Sequence, residues 1–186
     1  MTAYPVHTLS SAPEKSRPLM QAAADRMGFL PNLLGVMAGS PAVIDSYLTM
    51  GGKLAQTSFS AAEQQLLQLS ISAANGCEYC VAAHTVGGKR SGLPDAVVEA
   101  VRKNQPIKDA KMEGLRRFAQ AVVEKRGWVD RDDQASFVRA GFTAAQALEV
   151  VVAVAMKTLS NYVNHMADTP VDTQFLPAKW TKLKAG

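Results

Sequence analysis

Both cysteines of the chain and one of its three histidines fall in a single stretch, Asn75-Gly76-Cys77-Glu78-Tyr79-Cys80-Val81-Ala82-Ala83-His84. If a helix begins near Cys77, then Cys77, Cys80 and His84 occupy i, i+3 and i+7 and share one narrow face. Thiols one turn apart close a disulfide only where the backbone lets their Cβ atoms approach. The first turn of a helix is such a place, and it also lowers thiol pKa. Asn75-Gly76 is a turn or helix-stop signal, so Cys77 is expected to open a new helix. An imidazole one turn past Cys80 can take or return a proton during thiol chemistry. The stretch therefore reads as a redox site. Two blander readings stand beside it. The thiols could be two buried small hydrophobes. They could also belong to a zinc site whose fourth ligand, His7 or His165, arrives only by folding back.

The elements that must position these groups are helical. Residues 1–13 carry two prolines and no periodicity, and read as an extended arm. Leu19, Ala22, Ala23 and Met27 fit a helix over 14–27, with Pro18 near its first turn. Asn32 is a candidate cap for a short helix over 33–37, and Ser40-Pro41 starts another, which Gly51-Gly52 weakens without ending. Ser60-Ala61-Ala62-Glu63 is a capping-box pattern ahead of Leu66, Leu67, Leu69 and Ile71. The cysteine helix runs to about residue 91. Pro94, Asp109, Asp130 and Thr143 each open a further helix, the last ending near Met166. No run of period-two alternation is bounded by turn residues, so the fold class is all-α. A single helical domain over 14–170 and a C-terminal tail over 171–186 follow.

An internal repeat at an offset of 83 residues pairs Phe59-Ser60-Ala61-Ala62-Glu63-Gln64 with Phe142-Thr143-Ala144-Ala145-Gln146-Ala147. Further on, Cys77-Glu78-Tyr79-Cys80 lies opposite Ser160-Asn161-Tyr162-Val163. This suggests two copies of one helical unit, of which only the first keeps thiols. Tyr79 and Tyr162 are expected at the interface between the copies.

The composition bounds the rest. A chain of 186 residues that is 47% hydrophobic and 19% charged can bury a core, and disorder is excluded. The net charge of +4 is spread over short basic doublets and a tail bearing Lys179, Lys182 and Lys184, and aromatics are only 6%. Nucleic acid is therefore a poor partner. The opening Met1-Thr2-Ala3-Tyr4-Pro5 has neither a charged nor an apolar signal region. The longest apolar run, Val150 to Met156, is too short to span a bilayer. A cytoplasmic location and no membrane partner are expected.

The stretch 75–84 resembles the core motif of the alkylhydroperoxidase D-like proteins, within the wider carboxymuconolactone decarboxylase-like superfamily. Phe29-Leu30-Pro31-Asn32-Leu33 followed by Ser40-Pro41 looks like the opening segment of its peroxidase-related branch. Asn161-Tyr162-Val163-Asn164-His165 with Thr169-Pro170 looks like that branch's C-terminal segment. The resemblance implies helical hairpins that assemble as a homo-oligomer, a trimer or hexamer. It also implies a peroxidase cycle on hydrogen peroxide or organic hydroperoxides. Cys80 attacks the peroxide and becomes a sulfenic acid, Cys77 resolves it as a disulfide, and His84 serves in proton transfer. A thioredoxin-like or lipoylated protein would then reduce the disulfide, with no cofactor and no metal.

The sequence departs from the family at Gln65, where better-studied members place a glutamate in a relay with the histidine. A carboxamide hydrogen-bonds but does not shuttle a proton as a carboxylate does. Glu63 lies about 200° around a helix from Gln65, on the wrong face. Glu78 and Glu149 are the candidate substitutes, and His165, with Asn161 and Asn164, is a candidate pocket group. The electrostatics of a helix start favour Cys77 as the more acidic thiol by ~0.3–1 kcal/mol, whereas the family pattern favours Cys80. The alternative functions are a decarboxylase acting on a γ-lactone, which would not need the thiols, and a non-enzymatic redox-sensing or disulfide-exchange module.

Overall fold

A computed structural model describes residues 4–182. The outermost parts of the expected arm and tail, residues 1–3 and 183–186 with Lys184, lie outside the described residues. Within them the chain is all-α, as expected, with no strand: α1 (Arg17–Met27), α2 (Asn32–Met37), α3 (Pro41–Leu54), α4 (Ala61–Ala74), α5 (Glu78–Arg90), α6 (Asp95–Arg102), α7 (Ala110–Glu124), α8 (Arg131–Arg139) and α9 (Ala144–Ala167). Single 3-10 turns stand at Glu14–Ser16 and Leu176–Ala178.

The helix starts follow local chemistry. Ser60 and Glu63 form a reciprocal capping box on α4, as do Asp130 and Asp133 on α8 and Thr143 and Gln146 on α9. Each satisfies two backbone donors that a helix start leaves free. Asn32 is not the cap expected of it. The cap position of α2 is Pro31, and the Asn32 side chain instead donates to the Pro170 carbonyl at 3.0 Å. Gly51-Gly52 lies inside α3, which continues to Leu54.

Leu66, Leu67, Leu69 and Ile71 are all fully buried, so α4 is apolar around most of its circumference. Such a helix must be covered on several sides, and α5, α7 and α9 cover it. On its flank the rings of Phe118, Phe137 and Phe142 stack at 4.2 and 4.7 Å. A second apolar cluster joins α1, α2 and α3 to the start of α5 through Met20, Leu34, Met37 and Ile44. Cys77 and Cys80 belong to this second cluster.

The two repeat copies begin alike, with Phe59 and Phe142 in contact at 5.8 Å just before their capping boxes. They then diverge. The first copy stops at Gly76, whereas α9 runs straight through the corresponding Leu159. Tyr79 is buried edge-on to Phe175, but Tyr162, expected with it at the interface between the copies, is 56% exposed and lies against His165. Beyond α9 the chain returns across the molecule. The carboxylate of Asp172, itself buried, accepts from the Asn32 backbone N–H at 3.0 Å and from the Tyr79 hydroxyl. Arg102 then donates to the carbonyls of Ala178 and Lys179, and Trp180 donates to the Arg102 carbonyl. No single helix among the described residues is long and apolar enough to cross a membrane.

Candidate active site

The thiols are delivered by the way α4 ends. Gly76 adopts φ +71°, its N–H bonds the Ala73 carbonyl, and the Cys77 N–H bonds the Ser72 carbonyl. This is the paired closure of a Schellman motif, which needs a residue that tolerates the left-handed region. It leaves Cys77 as the cap residue of α5 and Cys80 in its first turn. Both are free thiols, each about 1% exposed.

The facing wall is α9. The Asn164 side-chain amide donates to Cys80 Sγ at 3.2 Å and to Cys77 Sγ at 3.6 Å. Ser160 Oγ lies 4.0 Å from Cys80 Sγ. Lys157, fully buried, brings its ammonium beside the same sulfur and to 2.8 Å from His84 Nε2. No carboxylate pairs with Lys157 among the described residues. His84 Nδ1 in turn lies 3.1 Å from Gln65 Oε1. A carboxamide oxygen only accepts, so His84 carries its proton on Nδ1 and offers Nε2 to Lys157.

These contacts order the sulfurs. Burial works against a Cys80 thiolate. The Cys77 thiol, the Lys157 ammonium and Ser160 outweigh it and bring Cys80 down to about 5. The Cys77 thiol, facing the Cys80 sulfur and desolvated, is pushed well up. Burial also disfavours the Lys157 ammonium, but Cys80, Tyr47 and Cys77 together more than offset this and lift Lys157 above its ordinary value. Burial first and the Lys157 charge second hold His84 well below the usual imidazole range, so it is neutral at pH 7. The helix start favours both thiols by a fraction of a kcal/mol; the hydrogen bond from the Cys77 thiol to the Cys80 sulfur, and after it the buried cation beside Cys80, decide between them.

Cys80, His84, Gln65 and Lys157 line one cavity of about 510 Å³, into which Tyr47 of α3 also projects. Cys77 does not line it. The other candidates are elsewhere. Glu149 binds the Ser58 backbone and hydroxyl, at 3.0 and 2.7 Å from its Oε2. Glu78 accepts from the Lys182 backbone at 3.3 Å. His165 is exposed. Neither glutamate replaces the missing carboxylate at Gln65, and from the polar trio on α9 it is Asn164, not His165, that meets the sulfurs. No group of three His, Cys, Asp or Glu side chains suited to a metal forms among the described residues.

Sequence reasoning missed Lys157 and Ser160 as site residues, and named Asn164 only as a neighbour of His165. The signal for Lys157 was its isolation as a lone cation within the apolar body of α9. Ser160 stands opposite Cys77 in the repeat alignment, the position where the second copy lacks its thiol.

Residues 41–121 match the model of the carboxymuconolactone decarboxylase family. The fold is similar to a peroxidase-related protein with an alkylhydroperoxidase AhpD core from Ralstonia eutropha JMP134, with a TM-score of 0.83, 24% identity and 94% of each chain covered. A peroxidase-related protein from Silicibacter sp. TM1040 superposes with a TM-score of 0.78 at 16% identity, over 93% of this chain and 92% of that one. A cysteine-to-alanine variant of the debrominase Bmp8, in complex with 2,3,4-tribromopyrrole, superposes with a TM-score of 0.79 at 18% identity, over 95% of each chain. No curated protein matches the sequence. Over residues 41–121 the chain is thus similar to the carboxymuconolactone decarboxylase family, and its fold is that of the AhpD core.

Proposed function

We propose that the protein is a thiol peroxidase in which Cys80 attacks and Cys77 resolves. The observation that carries this reading is the Cys80 sulfur, held as a thiolate by the Cys77 thiol and buried Lys157 on the wall of a cavity large enough for an organic substrate. The Cys80 thiolate attacks the terminal oxygen of a hydroperoxide. The S–O bond forms, the O–O bond breaks, and the departing alkoxide takes a proton to leave as an alcohol. Lys157, the cation beside the reacting sulfur, supplies that proton, and His84, hydrogen-bonded to its nitrogen, orients it; the Cys80 thiol formed on later reduction returns the proton to Lys157. The Cys77 thiol then attacks the sulfenic sulfur of Cys80, releasing water and leaving a disulfide. A dithiol reductant, carried by a thioredoxin-like or lipoylated partner, takes the disulfide back to two thiols.

The Gln65 carboxamide fixes the His84 tautomer but passes no proton onward. In this reading Lys157 supplies the charge that a glutamate–histidine relay would otherwise manage. The test is hydroperoxide consumption with excess dithiothreitol. Cys80→Ser is expected to abolish it, and consumption at the wild-type rate by that variant would contradict the assignment.

A second reading shares the sulfur chemistry. The cavity is far larger than hydrogen peroxide requires, and a fold relative is a debrominase. A thiolate at Cys80 attacking an aromatic halogen would return the bonding pair to the ring carbon, which takes a proton. Cys77 would then displace halide as the disulfide forms. Halide release without hydroperoxide consumption would favour this reading over the first.

A further inference from the structure

The cavity above Cys80 carries charge that the sulfur chemistry does not use. Three of its lining side chains are cationic, Arg26, Arg90 and Lys157, and none is an aspartate or glutamate. The Cys80 thiolate balances Lys157. Arg26, in the last turn of α1, and Arg90, at the end of α5, enter no ion pair or hydrogen bond among the described residues. Burial pushes the Tyr47 hydroxyl up, and the Arg26 charge, with that of Lys157, opposes it, so the field of Arg26 reaches inward to α3. Much of the remaining lining is apolar, including Met27, Phe29, Leu48, Val86, Met156 and Phe175. A volume of about 510 Å³ is within the range of sites that enclose small organic molecules.

We propose that this cavity takes an amphipathic organic anion, with an aromatic or branched aliphatic body between the apolar walls and a carboxylate or phenolate at Arg26 and Arg90. Its reducible atom would face Cys80 Sγ, a clause that rests on the peroxidase reading above. A neutral hydroperoxide gains only apolar burial here. An anion of the same shape also gains charge-assisted hydrogen bonds from two guanidinium groups with no competing partner. The absence of any lining carboxylate disfavours organic cations at the same site.

Protection of Cys80 from alkylation by iodoacetamide, followed by mass spectrometry on reduced protein, tests this without turnover. The probes are 4-isopropylbenzoate and the neutral alcohol 2-phenyl-2-propanol. The benzoate is expected to protect at a concentration about tenfold lower. In the wild type this advantage should shrink as salt is raised to about 0.5 M. In the Arg26→Gln/Arg90→Gln double variant it should fall to within about twofold. Equal protection by the two probes in the wild type overturns the proposal, as does an advantage that survives both salt and the double substitution.

Turnover separates this proposal from the reading beneath it. If cumene hydroperoxide is not consumed but the benzoate protects selectively, the anion site stands and the peroxidase reading falls. If cumene hydroperoxide is consumed while protection shows no preference for the anion, the peroxidase reading stands and the anion site falls.

Discussion

A lysine ammonium with no exposure to water persists only where a negative charge or good acceptors replace its hydration. For Lys157 these are the Cys80 thiolate and the Nε2 lone pair of His84. The same pairing makes Cys80 acidic, so each group accounts for the other's charge. In the wild type, alkylation of Cys80 is expected to stay fast from pH 8 down to pH 6 and to fall as the pH drops through about 5. Below that value the thiolate takes a proton and the nucleophile is lost. Replacing the cation, as in Lys157→Met, removes the charge that holds the thiolate. The midpoint should then move upward by one to two pH units, about 1.4 kcal/mol for each, and alkylation at pH 6 should slow by about twofold to tenfold. A profile unchanged in Lys157→Met, measured by iodoacetamide quench and mass spectrometry, would remove Lys157 from the mechanism. Loss of the neutral His84 alone should leave the midpoint low, because its imidazole contributes no charge.

At the scale of elements, the site is a seam between two helices from different copies of the repeat. α5 brings both sulfurs and His84, and α9 brings Lys157, Ser160 and Asn164. A third helix, α4, reaches the seam through Gln65, and it does so because Gly87 on α5 lacks a side chain. A Cβ at Gly87 would stand 2.8 Å from Gln65 Oε1. Alanine normally stabilises a helix interior over glycine by about 1 kcal/mol. At this position that gain is expected to be largely cancelled, because Gln65 must leave His84 Nδ1 to make room. In a Gln65→Ala background the gain should return. A double-mutant cycle by thermal or denaturant unfolding is therefore expected to show about 1 kcal/mol of coupling. Simple additivity would mean that Gln65 does not occupy the space beside Gly87.

At the scale of the whole molecule, the parts that local rules govern were legible and the parts that folding brings together were not. The capping boxes at Ser60, Asp130 and Thr143 and the stop at Gly76 each depend on a few adjacent residues, and the structure realises each of them. The Cys77–Cys80–His84 spacing likewise needed only helical geometry. Lys157 lies 73 residues from His84, and Asn164 lies 84 from Cys80. No periodicity in a single sequence ties such positions together. His165 looked the better candidate because imidazole is the more reactive group, yet Asn164, one residue earlier, falls on the face of α9 that meets α5. The same limit explains Asp172. It lies in the segment expected to be a tail, and only the fold brings it to Tyr79 and Asn32.

The central claim is that Cys80 is the sulfur that takes oxygen and that Cys77 is the one that removes it. The most direct measurement is the intact mass and thiol count of reduced protein before and after one equivalent of an alkyl hydroperoxide, in the wild type and in each Cys→Ser variant. The account predicts that the wild type loses both thiols and gains no oxygen. Cys77→Ser should gain a single oxygen on Cys80 that dimedone traps, and Cys80→Ser should keep its thiol unchanged. Both thiols surviving in the wild type, or oxygen appearing on Cys77 while Cys80 stays reduced, would contradict it.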